Sequence, residues 1–179
     1  MQRAMFIDFL DDRTTHHLDR QYMLGPSLLV APVFVPVGEE SEYYLPAGRW
    51  TAFFNPSRVQ AGPTWIKEVV PIDQLPVWVR QGTVLALGPT GIGRPDYDFA
   101  SAIDVHAYEL EEGQIVQTEV PSGKGADIAG IVETKLQDGE VVVKVTDGEV
   151  ELASLTYFGT GQEYKVDVQK GQREASLRV

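Results

Sequence analysis

Three aspartates near the start of the chain, Asp8, Asp11 and Asp12, are the first candidates for acid–base chemistry. They lie within and directly after an apolar run, Met5–Leu10, that is predicted to form a buried strand. Paired carboxylates can act as general acid and base, or as nucleophile, when both face one substrate. Asp11 and Asp12 are adjacent, however, and an extended backbone directs neighbouring side chains to opposite sides. The sequence therefore favours a loop-capping or surface role for these aspartates.

The three histidines are candidate metal ligands, and their spacing argues against a metal site. His16 and His17 are neighbours on a predicted short helix, so they do not share a face, and with Asp19 they still lack a full ligand set. His106 lies on a predicted strand, where a hydrogen-bonded structural role is expected. The chain has no cysteine, which removes thiolate ligands and disulfides. The sequence predicts no metal site and no cofactor.

Two further motifs are incomplete. Ser27 follows a Gly-Pro pair and does not lie in the Gly-x-Ser-x-Gly pattern of a nucleophile elbow. The Gly91–Gly93 segment lacks both the glycine spacing and the following helix of a phosphate-binding loop. Arg20, Arg49 and Arg80 are expected to be solvated or paired with the many acidic residues. None of these residues is assigned a functional role.

Aromatic residues are concentrated between positions 50 and 78. Exposed rings could stack on sugars, and a row of them on one sheet face would indicate a carbohydrate-binding module. Aromatic side chains also bury a large apolar area wherever they lie, so the sequence favours a core role. The five residues are Trp50, Phe53, Phe54, Trp65 and Trp78.

The composition is that of an acidic globular chain. Its 179 residues are 43% hydrophobic and carry a formal net charge of −11. This length suits one large or two small domains, and the apolar content argues against wholesale disorder. Such a surface repels nucleic acid and anionic membranes, and no apolar run approaches the roughly 20 residues of a membrane span. Neither partner is predicted, and the lack of cysteine fits a cytoplasmic location.

Most of the chain is predicted to form short β-strands. Residues 25–95 read as an antiparallel sandwich because apolar runs alternate with Gly, Pro and Asn turns. Turns are expected at Pro46–Gly48 and at Gly62-Pro63. The predicted strands of this domain are Leu28–Val35, Glu42–Leu45, Trp50–Phe54, Trp65–Val70, Val77–Arg80 and Val84–Leu87.

A second, smaller antiparallel sandwich is predicted for residues 96–179, after a Gly- and Pro-rich segment at 88–100. Asp138-Gly139 and Asp147-Gly148 predict hairpin turns on either side of Glu140–Thr146. The other predicted strands are Ile103–Leu110, Ile115–Val120, Ile128–Leu136, Val150–Tyr157, Tyr164–Val168 and Ser176–Val179.

Residues 1–24 predict elements that the rest of the chain cannot cover. Met5–Leu10 reads as a buried strand, and Leu18–Leu24 reads as a short helix, preceded by Thr14 or Thr15 as candidate cap and ended by Gly25-Pro26. Four large apolar side chains of this strand, left exposed, would forgo about 6–12 kcal/mol. That is comparable with the roughly 5–15 kcal/mol of a whole domain. The strand is therefore expected to belong to a larger protein.

Three blocks of the sequence carry a family resemblance: RQYMLGPSLLVAPVF at 20–34, YYLPAGRW at 43–50 and LPVWVRQGTVLALG at 75–88. Together they resemble the barrel exit and following β-sandwich of glycoside hydrolase family 31, which includes α-glucosidases and α-xylosidases. Two weaker segments, Arg94–Tyr97 and YELEEGQIVQTEVPSGKG at 108–125, resemble the α-xylosidase branch.

The resemblance implies that residues 1–24 are the end of a (β/α) barrel and that the chain is the C-terminal part of a longer α-glycosidase. Glycoside hydrolysis needs two carboxylates about 5–5.5 Å apart in retaining enzymes and about 6.5–9.5 Å apart in inverting ones. In the family these lie on earlier barrel strands, whose motifs are absent from this sequence. No catalytic residue is predicted, no substrate-binding residue is assigned, and the chain alone is predicted to be inactive.

Two functional classes follow from these patterns. In the first, the sandwiches brace the barrel of an enzyme acting on an α-linked xylosyl or glucosyl saccharide, and could mediate homo-oligomer contacts. In the second, the chain is a stand-alone, non-catalytic carbohydrate-binding or interaction protein. The strand at Met5–Leu10 and the block at 20–34 favour the first class, whereas a row of exposed aromatics would favour the second. Xylose against glucose specificity rests mainly on Arg94–Tyr97.

Overall fold

The computed structural model describes residues 1–89, 97–123 and 127–179, which are almost entirely β structure. They contain fourteen strands, a short α-helix (α1, Met5–Asp8) and a 3₁₀ helix (Arg13–His17). The mainly β fold class predicted from the sequence is confirmed. The strands are β1 Gln2–Ala4, β2 Tyr22–Leu24, β3 Leu28–Val30, β4 Glu40–Ala52, β5 Val59–Val69, β6 Val77–Arg80, β7 Thr83–Leu87, β8 Ile103–Tyr108, β9 Ile115–Pro121, β10 Ile128–Gln137, β11 Glu140–Gly148, β12 Leu152–Gly159, β13 Gln162–Asp167 and β14 Glu174–Arg178.

The chain forms two compact units, residues 1–81 and 82–179. The first unit contains one antiparallel sheet with the strand order β1-β2-β3-β6-β4-β5. Burying large apolar side chains is the main favourable term in folding, and here it gathers residues from both ends of the unit. The buried cluster consists of Met5, Met23, Leu29, Ala31, Tyr43, Leu45, Trp50 and Trp78.

Strand β4 runs through Pro46–Gly48, where the sequence predicts a turn. That prediction is wrong because these residues form an irregularity inside one long strand, at which the register with β5 shifts. The freed carbonyl of Pro46 accepts a hydrogen bond from the indole of Trp50 at 2.9 Å. The predicted turn at Gly62-Pro63 likewise lies inside β5, and a Cβ at Gly62 would stand only 1.9 Å from the Pro46 oxygen. Glycine is required for this close approach of the two backbones.

The first 24 residues also differ from the prediction. The run Met5–Leu10 begins as helix α1 rather than as a strand, and the predicted helix Leu18–Leu24 ends in strand β2. Short apolar runs fit a helix or a strand equally well, so the outcome depends on tertiary partners. Strand β2 finds those partners on both sides, in β1 and β3. The 3₁₀ helix is capped by Asp12 rather than by a threonine, since Asp12 Oδ1 accepts from the Thr14 amide at 3.0 Å.

The second unit is a β-sandwich of two four-stranded sheets, β14-β11-β10-β9 and β13-β12-β8-β7. Alternating side chains of each sheet point inward, as Val141, Val143 and Val145 do on β11. Neighbouring strands in the two sheets are antiparallel except for β8 and β12, which run parallel. The half-buried alternation predicted for Tyr164–Val168 is present on β13.

Of the two Asp-Gly pairs, one closes a hairpin. Asp138-Gly139 joins β10 to β11, as predicted. Asp147-Gly148 does not join a hairpin, because the next strand, β12, belongs to the other sheet. Gly148 instead lies at φ +70° against strand β10, where a Cβ would stand 2.0 Å from the Ala129 carbonyl oxygen. The pair therefore marks the crossing between sheets.

The division of the chain differs from the one drawn on the sequence, which places Val84–Leu87 in the first sandwich. Strand β7 pairs with β8 and so belongs to the second unit. The predicted boundary between residues 95 and 96 lies outside the described residues, as do Gly91–Gly93 and Arg94–Asp96. None of the helices in the described ranges is long and apolar enough to cross a membrane.

Candidate functional site: an apolar surface and a polar cavity in the first unit

The aspartates considered for catalysis have separate structural contacts. Asp12 caps the 3₁₀ helix, and its Oδ2 accepts a hydrogen bond from the Tyr44 hydroxyl at 2.7 Å. Asp8 forms an ion pair with Arg3 at 2.9 Å, and Asp11 is exposed. Asp12 thus has the loop-capping role that the sequence favours.

The histidines also have local partners. The Nε2 of His16 donates to the carbonyl of Leu10 at 3.0 Å. His106 lies on β8, where its ring contacts the edge of the stacked Tyr108 and Phe158 pair, and burial lowers the pKa of His106 from its usual value. Within residues 1–89, 97–123 and 127–179, no group of three or more His, Asp or Glu side chains could hold a metal ion. That the protein uses no metal ion or cofactor stays a prediction.

The first unit exposes a set of large apolar side chains near its start, which we term the N-terminal apolar surface. The ring of Phe6 contacts the ring of His16 with centroids 6.2 Å apart, and His16 is bonded to the Leu10 backbone. Three of the members lie together in the segment 6–10, and exposed apolar residues grouped in this way often mark an interaction site. The members and their exposed fractions are Phe6 44%, Ile7 50%, Leu10 69%, Leu24 42% and Phe34 63%.

Two buried polar atoms of the same N-terminal segment lack hydrogen-bond partners among the described residues. The Nε of Arg3 and the Oδ2 of Asp8 are buried without a hydrogen-bond partner among the described residues. Such atoms normally find a partner, since leaving one unpaired costs about 1–3 kcal/mol. The segment 1–10 therefore combines exposed apolar side chains with buried polar atoms that lack a hydrogen-bond partner within the part of the chain that the structure describes.

The aromatic cluster divides between core and surface. Trp50 and Trp78 are almost fully buried, as the core interpretation requires, whereas Phe54 and Trp65 are 71% and 48% exposed. Trp65 lies on β5, the edge strand of its sheet, and its ring contacts the ring of Tyr44 with centroids 5.2 Å apart. Trp65 lines a groove that also includes Phe34, and Phe54 lines a separate cavity. The exposed rings do not form the single row that would favour a carbohydrate-binding module.

The cavity beside Phe54 has a volume of about 160 Å³ and contains a polar cluster from β4, β5, β6 and the loop 53–58. We term its members Tyr43, Arg58, Glu68 and Trp78 the Glu68 cluster. The Trp78 indole donates to the Tyr43 hydroxyl at 3.1 Å, and that hydroxyl donates to Glu68 Oε1. Arg58 Nη1 donates to Glu68 Oε2 at 2.6 Å, and its guanidinium lies 4.8 Å from the centroid of the Trp78 ring.

Burial and hydrogen bonding keep the Tyr43 hydroxyl of the Glu68 cluster protonated. Burial raises the pKa of the Tyr43 hydroxyl, and the hydrogen bond to Glu68 raises it further, so Tyr43 remains a donor. No sequence motif marks Arg58 or Glu68 as a functional pair. Their partners lie 10 and 25 residues apart along the chain, beyond the reach of any local spacing. The only local signal is the strand alternation of Trp65–Val69.

Comparison with known proteins identifies the class of this chain. Residues 1–85 match the model of the glycosyl hydrolase family 31 C-terminal domain, and residues 98–179 match the C-terminal domain of α-xylosidase YicI. The chain therefore belongs to glycoside hydrolase family 31, of which it comprises the C-terminal domains. The resemblance stated from the sequence blocks is confirmed.

Individual relatives give the same placement. The chain is 30% identical over 99% of its length to α-xylosidase XylQ of Lactiplantibacillus pentosus, and spans 23% of that protein. An isomaltosyltransferase of Sporosarcina globispora is 38% identical, but over 49% of this chain and 8% of its own length. The chain thus spans less than a quarter of the length of either relative.

Solved structures share the fold. The α-xylosidase of Xanthomonas citri superposes with a TM-score of 0.71 at 22% identity, covering 99% of this chain and 21% of its own. A dextranase of Flavobacterium johnsoniae complexed with glucose superposes with a TM-score of 0.72 at 21% identity, covering 87% of this chain and 21% of its own. Relatives in the family therefore include a glucose-binding protein.

Proposed function

We propose that this chain supplies the non-catalytic C-terminal domains of an α-xylosidase, which hydrolyses an α-linked xylosyl saccharide at carboxylates on a separate barrel domain. The match of the second unit to an α-xylosidase domain model is the observation that carries this proposal. The alignment with an α-xylosidase extends over nearly the whole chain, whereas that with the isomaltosyltransferase covers about half. The second unit therefore favours xylosidase over other activities in the family.

The N-terminal apolar surface is proposed to pack against that barrel domain. Phe6 and Leu10 would lose their solvent exposure, and the buried Arg3 and Asp8 atoms would gain partners. Interfaces with apolar centres are stabilised by this burial, by roughly 25 cal/mol per Å² of apolar area. The first unit would then brace the barrel without taking part in the reaction.

The proposal is tested by sequencing the gene upstream of the codon for Met1. The longest in-frame product is then expressed and assayed with aryl α-xylosides and aryl α-glucosides. We expect a barrel domain in that product and faster hydrolysis of the α-xyloside. The 179-residue chain alone, assayed in parallel, is expected to hydrolyse neither substrate. A stop codon just upstream, or hydrolysis of the α-glucoside alone, would overturn the proposal.

Docking is tested separately in the same long product. Phe6→Ser is expected to lower its melting temperature, because a buried contact with the barrel is lost. Ile115→Ser is the matched control, since Ile115 is 60% exposed on the second unit. Equal melting temperatures for the two variants would contradict docking through the N-terminal apolar surface and leave the α-xyloside assay unaffected.

A further inference from the structure

The Glu68 carboxylate is presented to the cavity as a preorganised acceptor. One oxygen accepts from Tyr43 and the other from Arg58, while the side chain remains 26% exposed. Each carboxylate oxygen can accept a second hydrogen bond, so two acceptor positions remain for a ligand. Two parallel hydrogen bonds to one carboxylate are a strong and geometrically specific arrangement. Neighbouring hydroxyl groups on a sugar ring offer a matching pair of donors.

The cluster is rigid before any ligand enters. Tyr43 and Trp78 are 2% and 1% exposed, and their hydrogen bond fixes the hydroxyl that holds Glu68. Arg58 is held between the Glu68 carboxylate and the face of the Trp78 ring. Side chains that are ordered in advance lose little entropy on binding, which improves affinity for a small ligand.

Charge selects the kind of ligand. Arg58 and Glu68 neutralise each other, so the pair attracts neither anions nor cations strongly. The guanidinium has five N–H donors, of which the ion pair with Glu68 uses one that the structure records. The cavity thus offers both donors and acceptors without net charge from this pair. An uncharged polyhydroxy compound matches that pattern, whereas a phosphate or a metal ion does not.

An apolar wall completes the cavity. Phe54 is 71% exposed and Leu75 is 40% exposed, and both line the same cavity as Glu68. Aromatic rings supply a flat apolar surface on which the C–H face of a sugar ring can rest. The volume of about 160 Å³ has room for one such ring. We propose that this cavity binds a single pyranose ring of a neutral saccharide, through the Glu68 cluster on one side and Phe54 on the other.

The proposal does not rest on the α-xylosidase assignment. A sugar bound there would hold a saccharide on a non-catalytic domain. The experiment uses the 179-residue chain and measures binding only, so its failure and the failure of the proposed function are distinguishable.

The probes are methyl α-D-xylopyranoside and methyl α-D-glucopyranoside, titrated while the indole N–H resonances are followed by NMR. We expect a saturable shift of the Trp78 resonance with at least one glycoside, at millimolar concentrations. The Trp50 and Trp65 resonances serve as internal controls, because neither residue lines the cavity. No saturable shift of Trp78, or equal shifts of all three resonances, would overturn the proposal.

Two variants test the two walls. Phe54→Ala is expected to raise Kd several-fold, with Phe34→Ala, which removes another exposed ring outside the cavity, as the control that keeps Kd unchanged. Glu68→Gln is expected to raise Kd by about tenfold or more, because hydrogen bonds to charged groups are the stronger kind. Wild-type dispersion of the amide spectrum confirms folding, and Phe54→Ala keeps the test informative if Glu68→Gln unfolds. Unchanged affinity in Phe54→Ala would overturn the proposal.

Discussion

The two units solve the problem of covering a β-sheet in different ways. The second unit places two four-stranded sheets against each other and buries its apolar side chains between them. The first unit has one six-stranded sheet, with helix α1 contributing Met5 to its core. A single sheet needs another layer on its apolar face, whereas a sandwich supplies both layers itself.

The two units also differ in how many large apolar side chains they expose to solvent. Twelve of the fifteen exposed large apolar side chains in the described residues belong to the first unit. The second unit contributes Ile115, Ile128 and Val179. Scattered apolar residues are normal on any surface, so the uneven division between the two units is the informative observation. The second unit closes its own core between two sheets, whereas the first leaves more of its large apolar side chains exposed, in accord with the docking proposed for it.

Matched leucines give the sharpest test of this contrast. Leu155→Ala in the second unit is expected to lower the free energy of unfolding by about 2–5 kcal/mol, because a fully buried side chain leaves a cavity. Leu10→Ala in the first unit, where the side chain is 69% exposed, is expected to change it by less than about 0.5 kcal/mol. Urea unfolding followed by circular dichroism measures both. Similar losses for the two variants would show that Leu10 is part of a core.

A pair of glycines tests how tightly the sandwich is closed at its sheet crossing. Gly148 and Gly113 both have positive φ, but only Gly148 would bring a new Cβ against backbone. Alanine at either position costs about 1–2 kcal/mol for its left-handed conformation. At Gly148 the clash should add about 1–3 kcal/mol. Thermal unfolding measures both variants. Equal losses of unfolding free energy in Gly148→Ala and Gly113→Ala would show that the backbone at Ala129 can move away from a new Cβ at Gly148.

Thr134 is one of four buried polar residues in the second unit, with Thr83, Ser154 and Thr156. The Thr134 side chain is fully buried, and its Oγ1 has no hydrogen-bond partner among the described residues. Thr134→Val is therefore expected to raise the free energy of unfolding by about 1–2 kcal/mol, because an unpaired hydroxyl is replaced by a methyl group. Val143→Thr, at the paired position on β11, is expected to lower it by a similar amount. Destabilisation by Thr134→Val in chemical denaturation would reveal a partner for this hydroxyl.

The second unit was also the easier one to predict from sequence. Its strands alternate regularly, and the predicted Ile128–Leu136 and Glu140–Thr146 differ from β10 and β11 by one or two residues at their ends. Period-two alternation is a local signal that survives when one face is buried. The crossing at Asp147-Gly148 was missed, because a turn dipeptide does not show which sheet the next strand joins.

The first unit depends on contacts that no local pattern contains. Tyr22–Leu24 became a strand because β1 and β3 lie on either side, and Pro46–Gly48 stayed in a strand because Gly62 allows close approach. The Glu68 cluster was missed for the same reason, since its hydrogen bonds join separate strands and a loop. Propensity decides only where tertiary pairing does not.

The smallest expected effect is a pH dependence of the free energy of unfolding that comes from His106 on β8. Burial lowers the pKa of His106 below its ordinary value of 6.5, while Asp104 and Glu163 raise it and Lys165 lowers it. In the unfolded chain the imidazole takes up a proton as pH falls through about 6.5, and in the folded chain it does so only at lower pH. The free energy of unfolding should therefore decrease as pH falls below that value.

The variant His106→Asn tests this dependence in denaturation series across that pH range. It is expected to remove the contribution of His106 to the slope of unfolding free energy against pH. The control His17→Asn, at an exposed position, is expected to keep that contribution. An unchanged slope in His106→Asn would mean that His106 protonates equally easily in the folded and unfolded chains.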